Sequence, residues 1–287
     1  MTPTARLRAL LDAPGCRVMP CCFDALSARL IERAGFPLTF MSGFAVAAAR
    51  HALPDTGLVS YGEMIDAGRA IRAAVSIPVI GDGDTGYGNP LNVKRTVAGY
   101  ARAGFAAVMI EDQLAPKRCG HTAGKEVVSR AEAVARIRAA IDARDAGDDI
   151  LILARTDARA PLGLDEALAR IRAFDAAGAD ILFLEAPRDE DEMRAFCAAS
   201  ARPKMANMVE GGETPILPPE RLAEIGYRLA AYPLTLLAAA VRAMEGALAD
   251  LAAGRTPARL APFAELRALV GFPEYDAALA RYAPDDD

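Results

Sequence analysis

Eight short apolar runs recur along the chain: CRVMP (16–20), LTFMS (38–42), IPVIGD (77–82), AAVMIED (106–112), ILILART (150–156), DILFLEA (180–186), PKMANM (203–208) and YRLAAYP (227–233). Their apolar residues are nearly continuous rather than alternating, a pattern that predicts parallel strands covered on both faces. Between them lie stretches such as FDALSARLIERAG, NVKRTVAGYARAG, AEAVARIRAAIDAR, DEALARIRAFDAAG and TLLAAAVRAMEGALADLAAG. Their apolar positions fall three and four residues apart, the spacing of one helix face. Gly35, Gly104 and Gly178 stand where such stretches give way to the next run, the place where a left-handed helix end favours glycine. Eight strand–helix units without a break in composition predict an α/β fold, a closed (β/α)8 TIM-type barrel of the customary ~250 residues. Residues 3–12 add an N-terminal helix as a plug. Residues 1–287 are read as a single domain, with 255–287 as a C-terminal helical appendage. A doubly wound sheet with a small second domain is the alternative architecture.

Composition narrows the class. An apolar fraction of 53 % suffices for a large core, and the net charge of −5 comes from interspersed acids and bases. No basic stripe offers itself to nucleic acid or anionic lipid. The N-terminal residues carry arginines within their apolar pattern, and no apolar run approaches the roughly 18 residues of a membrane span. A cytoplasmic location is the expectation. The five cysteines (16, 21, 22, 119 and 197) include an adjacent pair, so reduced thiols are expected rather than a disulfide framework.

In a βα barrel the chemistry is built where strands end, and here those ends are polar: Ser42-Gly43, Asp82-x-Asp84, Glu111-Asp112, Arg155-Thr156-Asp157, Glu185 and Asn207. All are expected to converge on one mouth. Two residues apart on an extended strand, Asp82 and Asp84 point to the same side. Their mutual repulsion is relieved by a proton or a cation. Glu111 from the next strand completes a set of hard oxygen donors without Cys or His, which suits Mg2+ or Mn2+. The same segment, GDGDTGYGNP (81–90), also spells G-x-G-x-x-G. Aspartates at two spacer positions oppose pyrophosphate, and Asn89-Pro90 places the helix start several residues too late for a dinucleotide loop. Solvated aspartates on a glycine turn are the bland alternative.

APKRCGHTAGKEVVS (115–129) is polar and carries Cys119 between Arg118 and His121. Cations can lower a thiol's pKa and fit it for nucleophilic or proton-donor work; otherwise a free cysteine is a small buried apolar group. His121 is either functional or structural. Arg155 could pair bidentately with a substrate carboxylate, or could neutralise Glu185 or Asp157. Asn207, Glu210, Gly211, Gly212 and Thr214 offer polar lining, or belong to a plain loop.

FMSG (40–43), LPDTG (53–57), GDGDTGYGNPLNVKRTV (81–97), IEDQ (110–113), KRCGH (117–121), ARTDA (154–158), NMVEGGETP (207–215) and AYPL (231–234) together resemble the isocitrate lyase/phosphoenolpyruvate mutase superfamily over residues 15–255. KRCGH after IEDQ resembles the lyase branch, that of 2-methylisocitrate lyases, dimethylmalate lyases and oxaloacetate acetylhydrolases, in which this cysteine is catalytic. The resemblance implies a (β/α)8 barrel whose last helix is exchanged between subunits of a homotetramer. It also implies Mg2+ held largely through water by Asp55, Asp82, Asp84 and Glu111. Substrate oxygens would be held by Ser42 with the Gly43 backbone, Arg155, Glu185, Asn207 and Thr214, with Phe44, Gly120 and His121 beside them. Phe44 and Thr122-Ala123 depart from the methylisocitrate lyase pattern, which has a glycine run and an Arg-Pro pair there, and favour a dicarboxylate bearing a 2-hydroxy or 2-oxo group.

The implied reaction is carbon–carbon cleavage of a 2-hydroxy dicarboxylate of dimethylmalate, methylmalate or 2-methylisocitrate type to a 2-oxo acid such as pyruvate and a carboxylic acid. Cys119 is the general acid. A metal-bound water or Glu185 is the candidate base, and Phe40 stands where some relatives carry tyrosine. The alternatives are an oxaloacetate acetylhydrolase giving oxalate and acetate, a phosphonopyruvate or phosphoenolpyruvate mutase-type enzyme, and a non-catalytic binding barrel.

Overall fold

The computed structural model describes residues 1–120 and 124–282. Among them, eight parallel strands close into a barrel in chain order: β1 (Arg17–Cys22), β2 (Thr39–Met41), β3 (Val79–Asp82), β4 (Ala107–Glu111), β5 (Leu151–Thr156), β6 (Ile181–Leu184), β7 (Lys204–Asn207) and β8 (Leu229–Tyr232). β8 returns to β1 with Arg17 opposite Leu229 and Pro20 opposite Tyr232. The doubly wound alternative is thereby excluded. Contacts divide the chain into a unit Met1–Leu237, which holds the barrel, and a second unit from Ala238 on. The second unit contains the helices Phe263–Leu269 and Phe272–Ala280, and Thr235–Ala252 runs from one unit into the other.

Side chains alternate across each strand, and the buried residues sort accordingly. Met19, Cys21, Phe40, Ile80, Met109, Leu151, Leu153, Ile181, Phe183, Met205, Leu229 and Ala231 fill the barrel. Val108, Ile110, Ile152, Ala154, Leu182 and Ala206 pack outward under the helices. Leu7 and Leu11 of the helix Pro3–Asp12 join the inner cluster, so the amphipathic N-terminal segment closes the barrel. It is pinned by Thr4 Oγ1 donating to the Asp149 carbonyl at 2.8 Å and Arg6 Nη1 to that of Ser76 at 2.6 Å.

Local chemistry ends the helices as the sequence suggests. Gly35, Gly104 and Gly178 adopt φ of +85°, +84° and +104°, a region that costs other residues strain. Asn89 caps the helix Pro90–Arg102, its side chain accepting from Leu91 and Asn92 amides. The helix therefore begins after the glycine turn, and the turn's glycines answer to packing. A Cβ on Gly81 would lie 2.4 Å from Tyr100 Cε1, and one on Gly83 2.6 Å from the Met109 carbonyl.

Candidate functional site

The inner columns of the barrel explain the site. Continuing each by two residues toward the strand's C-terminal end turns Phe40 into Ser42, Ile80 into Asp82, Met109 into Glu111, Leu153 into Arg155, Phe183 into Glu185 and Met205 into Asn207. All six of these polar residues line one cavity of about 610 Å3 including its open mouth. Met109, Phe183, Met205 and Ala231 face it with them. The same alternation corrects the expectation that every strand-end residue converges. Asp112 and Thr156 have the opposite parity and face the helix layer: Asp112 accepts from Thr156 Oγ1 at 2.6 Å, the Asp157 amide at 2.9 Å and Arg170 Nη1 at 3.0 Å.

Asp82 and Asp84 are not held by an extended strand. β3 ends at Asp82, Asp84 turns into the left-handed region at φ +48°, and its amide donates to Asp82 Oδ1 at 3.1 Å. The Gly43 amide donates to Asp82 Oδ2 at 3.0 Å, an approach that needs glycine because a Cβ there would sit 2.6 Å from that oxygen. Lys117, which spacing alone did not single out, reaches into this group: its ammonium pairs with Asp55 and lies 2.7 Å from Asp84 Oδ1. Burial, and then Asp84, raise the Asp82 carboxyl to about 6. Burial likewise pushes Glu111 well above the usual carboxylate range despite Arg155. For Lys117 burial works against the charge, but Asp84, Asp82, Glu111 and Asp55 together hold it well above an ordinary lysine.

The donor set fits a hard divalent cation. Four carboxylates (Asp55, Asp82, Glu111, Glu185) and three cations (Lys117, Arg118, Arg155) line the cavity, with Asp84 behind Lys117. A dianionic acid would therefore enter a site already short of positive charge. Glu111 Oε1 is buried and makes no hydrogen bond among the described residues, an acceptor still to be satisfied. Among the described residues no three His, Cys, Asp or Glu side chains converge closely enough to hold one ion directly, so a fit would run through water.

Arg155 lies over the Phe183 ring at 5.2 Å and meets three carboxylates: Asp157 by Nε at 2.8 Å and Nη2 at 3.0 Å, Glu185 Oε2 at 3.0 Å and Glu111 Oε2 at 3.3 Å. Asn207 Nδ2 donates to both Glu185 oxygens at 3.3 Å. Arg155 is thus neutralised by carboxylates of its own chain while it lines the cavity.

The segment after β4 folds back over the mouth. Gln113 and Arg118 exchange hydrogen bonds at 2.9 Å through the Gln113 side chain and the Arg118 backbone, Gln113 bridges to Val127, and the Leu114 amide donates to the Glu126 carbonyl at 2.9 Å. This pairing brings Lys117, Arg118, Cys119 and Gly120 to the cavity wall with Phe44 and Asp55. His121 and Thr122-Ala123 lie outside the described residues. Thr214 is buried outside this lining, its hydroxyl without a hydrogen bond among the described residues. Of the other thiols, Cys21 and Cys22 are buried while Cys16 and Cys197 are half-buried. Burial raises Cys16 and Cys197 to about 12.

Comparison with known proteins agrees with this geometry. The family model described as phosphoenolpyruvate phosphomutase matches residues 7–252. The 2,3-dimethylmalate lyase of Eubacterium barkeri is 44 % identical over 244 residues, 85 % of this chain and 84 % of that one. A structure of oxaloacetate acetylhydrolase with the inhibitor 3,3-difluorooxalacetate superposes with a TM-score of 0.92 at 35 % identity, covering 96 % of both chains. Phosphonopyruvate hydrolase in complex with oxalate and Mg2+ superposes with a TM-score of 0.88 at 33 % identity, covering 98 % of this chain and 99 % of that one. No helix among the described residues is long and apolar enough to cross a membrane. Closed barrel, carboxylate-lined mouth and family match together establish that the chain belongs to the phosphoenolpyruvate mutase/isocitrate lyase superfamily.

Proposed function

We propose that the protein is a Mg2+-dependent carbon–carbon lyase, of the oxo-acid-lyase kind, that cleaves a 2-hydroxy dicarboxylate of the dimethylmalate, methylmalate or 2-methylisocitrate type. The observation that carries this reading is the presence of Cys119 in the wall of the cavity that Arg155, Glu185 and the carboxylate group also line. The 44 % identity to a 2,3-dimethylmalate lyase supports it. Asp82, Asp84 and Glu111, with Asp55, would hold Mg2+, which supplies Lewis-acid polarisation of the oxygens at C1 and C2 when bound.

The chain's own groups perform the rest. Arg155 pairs with a substrate carboxylate while Asp157 keeps its fork oriented, and Ser42, the Gly43 backbone and Asn207 hold substrate oxygens. Phe44 and Gly120 shape the wall. Glu185 accepts the proton of the 2-hydroxyl as the C2–C3 bond breaks, and C2 becomes the carbonyl carbon of a 2-oxo acid. The electron pair leaves on C3, stabilised by the adjacent carboxylate, and Cys119 Sγ delivers its proton there to give the carboxylic acid. Thr214, which does not line the cavity, is left out of this set.

Incubation with malate, 2-methylmalate, dimethylmalate, methylisocitrate, isocitrate and oxaloacetate in the presence of Mg2+ tests the reading by the products. A 2-oxo acid from a 2-hydroxy dicarboxylate supports it. Oxalate and acetate from oxaloacetate alone would instead favour the hydrolase reading, for which the superposition on oxaloacetate acetylhydrolase speaks. Phosphoryl chemistry on phosphonopyruvate would favour the mutase-type reading. The assembly proposed is a homotetramer exchanging its C-terminal helix. Leu248, Leu251 and Phe263 of the C-terminal residues are exposed, and solution mass measurement tests it.

A further inference from the structure

Lys125 is a buried cation that the proposed reaction leaves unused. Its side chain is 3 % exposed, and its ammonium lies 3.1 Å from Asp157 Oδ1, which is fully buried. It also donates to the Gly120 carbonyl. A lysine is taken out of water only where partners replace its hydration, and the choice of partners here is informative. Gly120 adjoins Cys119, and its backbone rests directly on the Arg155–Glu185 pair: a Cβ at 120 would stand 2.5 Å from Arg155 Nη2 and 2.6 Å from Glu185 Oε2. Asp157 is the carboxylate that grips Arg155 through Nε and Nη2. A single ammonium therefore ties the backbone beside the thiol to the group that orients the arginine.

We propose that Lys125 is a positioning residue that fixes Cys119 over the Arg155–Glu185 pair. The functional meaning of this placement rests on the reading of Cys119 as proton donor, but the placement itself is measurable without turnover. The glycine at 120 and the lysine at 125 serve one end. The first lets the backbone approach the pair, and the second holds it there.

The test is iodoacetamide labelling of the whole protein, with each cysteine followed separately by peptide mass spectrometry. In Lys125→Met the Cys119 rate should rise roughly fivefold or more, while Cys16, just before β1, and Cys197, in the helix Glu190–Ala198, change by less than about twofold, because the loosening is local. Lys125→Arg, which keeps charge and reach, should return Cys119 to within about twofold of the wild type. Should Lys125→Met not fold, Lys125→Gln is read in the same way. An unchanged Cys119 rate in a folded variant overturns the proposal, as does a rise shared equally by Cys16 and Cys197. Full turnover by Cys119→Ser would defeat the proton-donor reading and leave the labelling result standing, so the two failures are distinguishable.

Discussion

Asp112 is buried against the helix layer rather than in the cavity, and the loss on its removal can be worked out from its partners. Its carboxylate is 1 % exposed and accepts from Thr156 Oγ1, the Asp157 amide and Arg170 Nη1. Burial, and then Asp157, push its pKa up while these donors oppose the shift, so the charge itself gains little. The loss on substitution comes from the donors left behind. Arg170, at 2 % exposure, keeps Glu166 at 2.9 Å, whereas the other two donors have no second acceptor in these contacts. Asp112→Ala should cost about 3–5 kcal/mol, the range for breaking a buried pair from one side. At about 2–4 °C per kcal/mol for a domain of this size, Tm falls by about 6–20 °C. Asp112→Asn keeps one acceptor, and in either amide orientation an N–H2 meets a donor, so about half the loss remains. Thermal unfolding followed by circular dichroism reads both. Adding Arg170→Met to Asp112→Ala should recover part of the loss, because a buried guanidinium left with half of its carboxylate partners is then gone. A Tm for Asp112→Ala within about 2 °C of the wild type, the shift of less than 1 kcal/mol, would show that the three donors do not depend on this carboxylate.

Other consequences follow from the mouth and its floor. Gly81→Ala places a methyl 2.4 Å from Tyr100 Cε1 and should destabilise by about 1–3 kcal/mol through overpacking, read as a lowered urea midpoint. Asp82 is raised to about 6 in the folded chain against roughly 3.9 unfolded. As an acid with a raised pKa it favours the fold when protonated, so its penalty is absent below about pH 4 and complete above about pH 6. Metal-free wild type should accordingly lose about 2–3 kcal/mol relative to Asp82→Asn between pH 4 and pH 7; parallel stability curves would contradict this. Saturating Mg2+ should raise Tm, by the equivalent of about 2.7 kcal/mol at a hundredfold excess over Kd, and Glu111→Gln should weaken the shift. An Mg2+ shift equal in Glu111→Gln and wild type would remove Glu111 from the metal group.

The sequence made the strand–helix alternation, the glycine helix ends and the Asn89 cap readable because each is local. It also placed Asp82, Glu111, Arg155, Glu185 and Asn207 at strand ends, but only the period-two alternation separates Glu111, which lines the cavity, from Asp112, which does not. That alternation is legible in MIED, where Met109 and Glu111 share one face and Ile110 and Asp112 the other. The turn at Asp84 was harder to read, since aspartate enters the left-handed region without the signature a glycine gives. Lys117 and Lys125 were opaque for a different reason. Their burial depends on the Gln113–Arg118 and Gln113–Val127 pairings, which no periodicity within the sequence reports.

The role of Cys119 in carbon–carbon cleavage is tested most directly by turnover of 2,3-dimethylmalate, and of its methylmalate and methylisocitrate analogues, with Mg2+ in wild type and Cys119→Ser side by side. The wild type should release a 2-oxo acid and a carboxylic acid in equal amounts. In the variant kcat should fall by about 10²–10⁴, with substrate binding kept. Near-wild-type kcat in Cys119→Ser, or a wild type that leaves every 2-hydroxy dicarboxylate intact, would contradict this role.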